Sequence, residues 1–377
     1  VAMLERATAA RPTDASLHKN LGLAYRAVRA PDRAARAFKE ALRLEPEFTV
    51  AWLNMGAVLD ETGQRDESLM AYMRAFKSAE KSGLFMNVAA MPAGVRTLAE
   101  RAMSALREAR AEVFREALAP VAARFGDDAL KRVWECLEAY LGKRPPLPLP
   151  ALQKPTLMTF PGVPGRAWFE REMFPWLTEI ERQTDAIREE LTDVLASDEG
   201  FRPFVEIPVD HPGAAYWRQV NHSPSWNAFF FYRDGGRHAV NHARCPVTSA
   251  ALDALPLIRI AEHSPESFYS VLAPGAYIPP HTGVINCRLV VHLPLIVPPD
   301  CGIRVGSETR GWEEGRCIAF DDTFEHEAWN RSERTRVVLI FDIWNPYLSE
   351  AEREGMRAAV EALGLFNRGH GDGGESL

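Results

Sequence analysis

Two histidines, His281 and His326, are the side chains of this sequence best suited to hold a transition metal. His281 follows two prolines in a predicted stiff turn that can direct its ring inwards, and His326 follows a predicted strand and two aspartates. Imidazole is the commonest nitrogen ligand of iron, zinc and copper. Arg336 begins an apolar strand, where a buried guanidinium needs an anion, and a carboxylate fits its bidentate fork. The pattern therefore predicts a metal site beside an anion site.

Short strands must position these residues. Runs of apolar residues alternate with turns marked by glycine and proline, which favours a β-sandwich or a jelly-roll barrel. Helices are expected at 173–196, in a short segment ending at Leu255, and at 347–363. Expected strands cover residues 216–220, 226–232, 268–272, 288–295, 302–305, 316–320 and 336–344.

Length and composition limit the class of protein. The 377 residues suggest two or three domains. A net charge of -7 offers no basic field to nucleic acid, and no apolar run reaches the roughly 20 residues that span a bilayer. Five scattered cysteines without CxxC spacing argue against a disulfide framework or structural zinc site and predict a reducing, cytoplasmic location. The chain begins at Val1 within a predicted helix, so we expect a missing upstream segment, together with any targeting signal it carried.

The first 83 residues repeat with a period of 34. Gly22 aligns with Gly56 and Phe38 with Tyr72, and these positions resemble the tetratricopeptide repeat, a helix pair that stacks into an α-solenoid. Residues 1–10 fit the second helix of an earlier repeat. Such a solenoid binds peptides or proteins on its concave face, and packing against the chain's own neighbouring domain is the alternative.

Four further segments are predicted after the repeats. Helical periodicity indicates a spacer at 84–144, and the proline-rich run 145–159 is typical of a stiff linker. The β-rich domain is expected over 160–366. The glycine-rich tail, 367–377, is expected to be disordered.

Ordered sequence blocks between Phe160 and Tyr347 resemble the aspartyl/asparaginyl β-hydroxylase family of Fe(II)- and 2-oxoglutarate-dependent dioxygenases. His281 lies in a Pro-His-Thr-Gly block and His326 in an Asp-Asp-Thr-Phe-Glu-His-Glu block. Animal members of this family also carry a tetratricopeptide-like region before the catalytic domain. The matching blocks are 245–248, 269–270, 274–275, 280–283, 286–289, 292–293, 303–304, 309–315, 320–327 and 342–346.

The resemblance implies a double-stranded β-helix in which His281 and His326 bind Fe(II). Arg336 would pair with the distal carboxylate of the co-substrate 2-oxoglutarate, and Ser270 and His292 would lie around it. The implied reaction uses O₂ to hydroxylate a C–H bond. The first expectation for its substrate is the β-carbon of an Asp or Asn residue in a protein or peptide, which the repeats would recruit.

Two positions near the first histidine need separate comment. Gly283 stands where most 2-oxoglutarate oxygenases carry a carboxylate ligand, and the family similarly lacks it. Val290 departs from the family, which has Leu-Arg-x-His where this chain has Leu-Val-Val-His, ending at His292. The absent arginine helps to hold the co-substrate near the metal. Arg288 lies one period-2 step away on the same strand face and is the candidate replacement; otherwise weaker co-substrate binding or a different function is expected.

Structural roles compete with these functional ones. His292 could be a satisfied core histidine, and Arg336 could form a structural salt bridge. Asp321 and Asp322 could be ligands, although capping a turn and supporting His326 are the favoured roles. Three further residues are predicted to face the substrate cleft: Trp226, Arg218 and Arg304.

Other functions stay open at this stage. A small molecule or a lipid acyl chain is the alternative substrate of a hydroxylase. A non-catalytic binding module, made of the repeats and a barrel that has lost turnover, is the alternative from a different class, and Val290 is its motivation. The remaining tryptophans, Trp312 among them, are predicted to be core residues.

Overall fold

The computed structural model describes residues 1–82, 91–197, 199–208 and 213–371. They form two compact units, one made of residues 1–115 with the residues described after 361, and the other of residues 116–361. The domain limits predicted from the sequence stay predictions. The predicted junction at 83–84 and the end of the predicted tail, 372–377, lie outside the described residues.

The first unit is built from paired helices. Its helices include α1 (Ala2–Ala10), α2 (Ala15–Ala27), α3 (Pro31–Leu44), α4 (Thr49–Glu61) and α5 (Arg65–Ser82). A Cβ atom at Gly22 would come 2.6 Å from the Phe38 ring, and one at Gly56 would come 2.5 Å from the Tyr72 ring. Glycine thus allows α2 to approach α3 and α4 to approach α5, at the period seen in the sequence. The predicted helical solenoid is confirmed, and its tetratricopeptide class stays a prediction.

The strands belong to the second unit. They are β1 (Trp168–Phe169), β2 (Arg202–Pro203), β3 (Trp226–Arg233), β4 (Gly236–Arg237), β5 (Ser267–Leu272), β6 (Tyr277–His281), β7 (Arg288–Ile296), β8 (Cys301–Val305), β9 (Glu308–Arg310), β10 (Ile318–Phe320), β11 (His326–Asn330) and β12 (Arg336–Trp344). The larger antiparallel sheet has the order β1-β10-β7-β12-β5-β3-β2, with β4 beside β3, and the smaller has the order β6-β11-β8-β9. Strands distant in sequence are neighbours in both sheets, as in a jelly roll. The predicted fold, a helical solenoid followed by a double-stranded β-helix, is confirmed.

Alternation along the strands separates two sides of the larger sheet. On β7, Leu289, Val291 and Leu293 pack into an apolar core on one side. Val290 and His292 face the other side, where both sheets line a common cavity. The strand periodicity therefore decides which side chains reach the candidate site.

The remaining helices precede, separate and follow the strands along the chain. They are α6 (Ala93–Phe125), α7 (Lys131–Tyr140), α8 (Leu177–Glu181), α9 (Thr184–Ser197), α10 (Ala214–Trp217), α11 (Ala239–Arg244), α12 (Pro246–Asp253) and α13 (Glu350–Gly369). Within the described part of the chain, no helix is both long and apolar enough to cross a membrane.

Two predicted helices were placed incorrectly. The helix expected at 173–196 is divided into a 3₁₀ turn, α8 and α9. Pro175 lies between the turn and α8 and has no N–H group to continue a helix from the turn. The closing helix was expected at 347–363, whereas α13 extends over Glu350–Gly369. Leu363 and Phe366 are both buried and three residues apart, so the apolar stripe continues beyond the predicted end at Leu363. Helix α13 also includes residues 367–369, the first residues of the tail that was predicted to be disordered.

The strand predicted at 216–220 is wrong. Helix α10 occupies its start, and the Val220 N–H donates to the Trp217 carbonyl in the following turn. Trp217 and Val220 are three residues apart, a spacing that places both side chains on one face of a helical turn but on opposite faces of a strand. Likewise, His281 ends strand β6 and does not lie in the predicted turn.

Candidate metal and anion site

The two predicted metal ligands lie side by side. His281 ends β6, His326 begins β11, and they are direct partners in the antiparallel pairing of these strands. Their ring centroids are 4.0 Å apart. Two residues 45 positions apart in the sequence are thus brought together by one strand pair.

Both rings are held in the same tautomer. His281 Nδ1 is 2.8 Å from the Pro279 carbonyl oxygen, and His326 Nδ1 is 2.9 Å from the Phe324 carbonyl oxygen. A carbonyl oxygen only accepts, so each Nδ1 carries the proton and each Nε2 has a free lone pair. Burial lowers the pKa of His281 to about 3 and that of His326 to about 4, so both rings are neutral at pH 7. The pair is prepared to bind a metal ion through Nε2.

Asp322 fills the space beside this pair that a side chain at position 283 would need. A Cβ atom on Gly283 would lie 2.3 Å from the Asp322 carboxyl carbon. Asp322 Oδ1 is buried and has no hydrogen-bond partner within the described residues. Among those residues no third His, Cys, Asp or Glu completes a group of metal ligands. A carboxylate therefore lies beside the histidine pair, but it belongs to Asp322 and not to a residue at position 283.

Arg288 forms ion pairs with two carboxylates. It lies on the cavity side of β7, as predicted, and its Nη2 donates to Asp322 Oδ2 at 2.5 Å. Its Nη1 is 3.6 Å from Asp342 Oδ2. The charge of Arg288 is thus balanced by Asp322 and Asp342, which does not favour its predicted role as the replacement for an arginine at position 290. Val290 itself lines the cavity.

Arg336 is a buried cation without a carboxylate partner. It is 1% exposed and forms no salt bridge within the described residues. Its Nη1 donates to the carbonyl oxygen and the Oγ of Ser270 at 3.3 and 3.4 Å, and its Nε has no partner there. Burial lowers the pKa of Arg336 to about 10. Because an unpaired buried charge is costly, the geometry supports an anion site and not the salt-bridge alternative.

His292 shares one neighbouring ring with His326 and another with Arg336. Its Nδ1 is 3.3 Å from Trp312 Nε1, and its ring meets Phe320 edge-on, as does the ring of His326. Burial, followed by the charge of Arg336, holds the pKa of His292 well below its usual value. His292 is thus a neutral member of the cavity wall.

The three residues predicted to face the substrate cleft do not all lie at the cavity. Trp226 is buried in the cavity wall, and its Nε1 donates to Ser270 Oγ at 3.1 Å. Arg304 faces away from the cavity and pairs with Glu327 and Glu325. Arg218 is exposed after α10 and does not line the cavity. Only Trp226 is brought to the site.

The cavity has a volume of about 260 Å³ and lies between the sheets. It is lined by the metal pair, Ser270, His292 and Arg336. The remaining wall is mainly apolar and includes Phe204, Phe268, Ile278, Ile303, Phe320 and Ile340.

Several neighbours of the site were not predicted. Trp312, predicted to be core, contacts two site residues, since its ring also lies 4.9 Å from the Arg336 guanidinium carbon. Glu266 lines the cavity, where burial raises its pKa to about 8. Trp217 meets the His281 ring edge-on at 5.3 Å. Each depends on a contact between distant segments, for which a single sequence has no local signal.

The fold and the histidine pair define a jelly-roll domain with a candidate metal centre. Residues 181–346 match the family model described as Aspartyl/Asparaginyl beta-hydroxylase. This match confirms the resemblance found in the sequence.

Two relatives show how far the similarity extends. The ornithine lipid ester-linked acyl 2-hydroxylase of Rhizobium tropici is 36% identical over 186 residues, 48% of this chain and 62% of that protein. The human aspartyl/asparaginyl beta-hydroxylase is 25% identical over 359 residues, 94% of this chain and 42% of that protein. The chain therefore spans about half the length of these curated relatives.

Solved structures give only a distant likeness. A Pseudomonas putida prolyl-4-hydroxylase has a TM-score of 0.26 and 12% identity, covering 45% of this chain and 99% of that chain. A likeness this remote does not bear on function.

Proposed function

We propose that the second unit is an Fe(II)- and 2-oxoglutarate-dependent dioxygenase that hydroxylates a C–H bond. The observation that carries this proposal is the combination in one cavity of two histidines with free Nε2 lone pairs and a buried arginine that lacks an anion. A metal ion and a carboxylate-bearing co-substrate would satisfy both. The match of residues 181–346 to the family model supports the same assignment.

The residues fit these groups chemically. His281 and His326 would hold Fe(II) through Nε2, since neutral imidazole suits this metal. Arg336 would receive the distal carboxylate of 2-oxoglutarate with help from Ser270, and His292 would contact the same molecule nearer the metal. Bound iron, 2-oxoglutarate and O₂ supply the oxidising power. The protein orients the co-substrate, and the apolar wall excludes water.

An Asp or Asn residue of a protein or peptide is the first candidate substrate, hydroxylated at its β-carbon. The family description supports this choice, and so does the human relative, whose match extends over 94% of this chain and includes the helical unit. In this proposal the solenoid recruits the protein that carries the target residue.

A lipid acyl chain is the second candidate substrate. Two observations favour it: the similarity to the Rhizobium tropici acyl hydroxylase, and the apolar cavity wall, in which Val290 and Phe268 add no charge. The apolar part of this wall would bind an acyl chain through burial.

The reaction class can be tested by anaerobic titration with Fe(II) and 2-oxoglutarate, followed by admission of O₂. A visible metal-to-ligand charge-transfer band and succinate release are expected from the intact chain, and both should be lost in His281→Ala and His326→Ala. Absence of both the band and succinate from the intact chain would refute the proposal and favour a binding module.

The substrate class needs a separate comparison. Asp- and Asn-containing peptides and acyl lipids in vesicles would be incubated with the active protein, and products that gain one oxygen atom would be identified by mass spectrometry. Oxidised Asp or Asn supports the first candidate, and an oxidised acyl chain supports the second.

A further inference from the structure

Two indole N–H groups donate to residues at the anion end of the cavity. Trp312 Nε1 donates to His292 Nδ1 at 3.3 Å, and Trp226 Nε1 donates to Ser270 Oγ at 3.1 Å. Trp226 begins β3, whereas Trp312 lies between β9 and β10. Both tryptophans are buried. Neither contact is explained by apolar packing alone.

The Trp312 contact decides the tautomer of His292. An indole N–H can only donate, so Nδ1 of His292 must accept, and in a neutral ring the proton is then on Nε2. Within the described residues Nε2 has no hydrogen-bond partner, and His292 lines the cavity. His292 therefore presents an N–H donor to the cavity.

This orientation is opposite to that of the metal pair. His281 and His326 donate from Nδ1 to backbone carbonyls and keep the Nε2 lone pair free. Three neutral histidines in one cavity thus have two tautomers. Two of them can bind a cation, and the third can bind only an acceptor, such as a carboxylate oxygen.

Trp226 has a similar effect on Ser270. The Ser270 hydroxyl oxygen accepts from Trp226 Nε1 and from Arg336 Nη1. A hydroxyl oxygen has two lone pairs, so both are used and the O–H bond must donate elsewhere. Ser270 is in the cavity wall, so its proton is available to a ligand.

Trp312 also supports Arg336 directly. The Arg336 guanidinium carbon lies 4.9 Å from the centre of the Trp312 ring, within the range of a cation–π interaction. One indole thus contacts two groups of the anion end, one through its edge and the other through its face.

We propose that Trp312 and Trp226 are positioning residues that make His292 and Ser270 hydrogen-bond donors. With Arg336 they would complete a cradle of donors for one dicarboxylate ligand, 2-oxoglutarate in the proposed function, on which this inference rests. The neutral N–H of His292 would then serve as a donor near Val290, where the family has an arginine.

Nitrogen NMR of the ¹⁵N-histidine-labelled, metal-free full chain tests the orientation without any catalytic readout. We expect a proton on Nε2 of His292 and on Nδ1 of His281 and His326, with signals assigned from single-histidine variants. A proton on Nδ1 of His292 in the wild-type protein would overturn the inference, and this result needs no tryptophan variant to fold.

Trp312→Phe separates the two contacts of the indole, because it keeps a ring face under Arg336 and loses the N–H. We expect a mixed His292 tautomer and about tenfold weaker binding of 2-oxoglutarate to the Mn(II)-loaded protein by calorimetry, the scale of one hydrogen bond to a charged ligand. Trp312→Leu, which also loses the ring face, should bind still more weakly. Trp226→Phe should weaken binding without changing the His292 tautomer.

Trp329→Phe is the matched control. Trp329 lies on β11, contacts Gly302 and does not line the cavity, so both the tautomer and the affinity should stay unchanged. Wild-type affinity and tautomer in folded Trp312→Phe would overturn the inference. Failure of the wild-type protein to bind 2-oxoglutarate would instead count against the proposed function, while the NMR result would still decide how Trp312 orients His292.

Discussion

The two ends of the cavity are built in different ways. At the metal end, each histidine is held by a carbonyl two residues earlier in its own chain segment. At the anion end, Arg336 depends on Ser270 and Trp312, which come from other segments. The metal end is therefore determined mostly by local sequence, and the anion end by the fold. Local motifs can be recognised without a structure, but a binding site made of distant residues cannot be completed from them.

The largest effect is expected from removing a metal ligand. Either His281→Ala or His326→Ala should weaken Fe(II) binding by more than about 100-fold, beyond the 10–100-fold loss typical of residues that only support a ligand. Calorimetry under anaerobic conditions measures this. His18→Ala, in the helical unit, is the control and should bind Fe(II) as the wild type does. Equal Fe(II) binding by all three variants would show that His281 and His326 do not bind the metal.

A second prediction compares two buried arginines. Arg288→Met leaves Asp322 and Asp342 without their cation and should lower the free energy of unfolding by about 3–5 kcal/mol. Arg336→Met removes a buried charge that has no carboxylate partner, so the ligand-free protein should unfold at an equal or higher denaturant concentration while losing 2-oxoglutarate binding. Urea unfolding of metal-free protein distinguishes them. Equal destabilisation by both changes would contradict an anion site at Arg336.

These two arginines also show what the sequence could predict. The strand alternation correctly placed Arg288 in the cavity wall, and the apolar run after Arg336 correctly predicted that this arginine is buried. The blocks around His281 and His326 predicted a pair of histidines that the structure does place side by side. Nothing in the sequence near Arg288 indicates that this arginine pairs with Asp322 and Asp342, because those contacts cross the barrel. Trp312 is a buried core residue, as predicted, but its contacts with His292 and Arg336 could not be predicted for the same reason. The run at 216–220 was too short for its pattern to distinguish a helix from a strand.

A smaller effect is expected at Gly283. A Cβ atom there would meet the Asp322 carboxylate at 2.3 Å, so Gly283→Ala should lower the free energy of unfolding by about 1–3 kcal/mol, as overpacking does. Gly311→Ala has open space around it and should be close to neutral. Thermal unfolding of both variants gives the comparison, and a neutral Gly283→Ala would show that Asp322 does not fill the space beside the metal pair.

The smallest effect is expected from restoring the family's arginine. Val290→Arg would add a cation to the cavity wall and should tighten 2-oxoglutarate binding about two- to fivefold, the scale of a partly solvated ion pair. Val290→Leu is the control for side-chain size. Weaker binding by Val290→Arg than by Val290→Leu would mean that His292 and Arg336 already complete the anion end and leave no room for a second cation.

The central claim is that one cavity binds a metal ion on His281 and His326 and the distal carboxylate of a co-substrate on Arg336. A crystal structure of the chain grown with Mn(II) and 2-oxoglutarate under anaerobic conditions tests it most directly. We predict Mn(II) on Nε2 of His281 and His326, the distal carboxylate of 2-oxoglutarate on Arg336 and Ser270, and His292 donating from Nε2. A metal bound elsewhere, or Arg336 without a carboxylate while 2-oxoglutarate lies in the cavity, would contradict the claim.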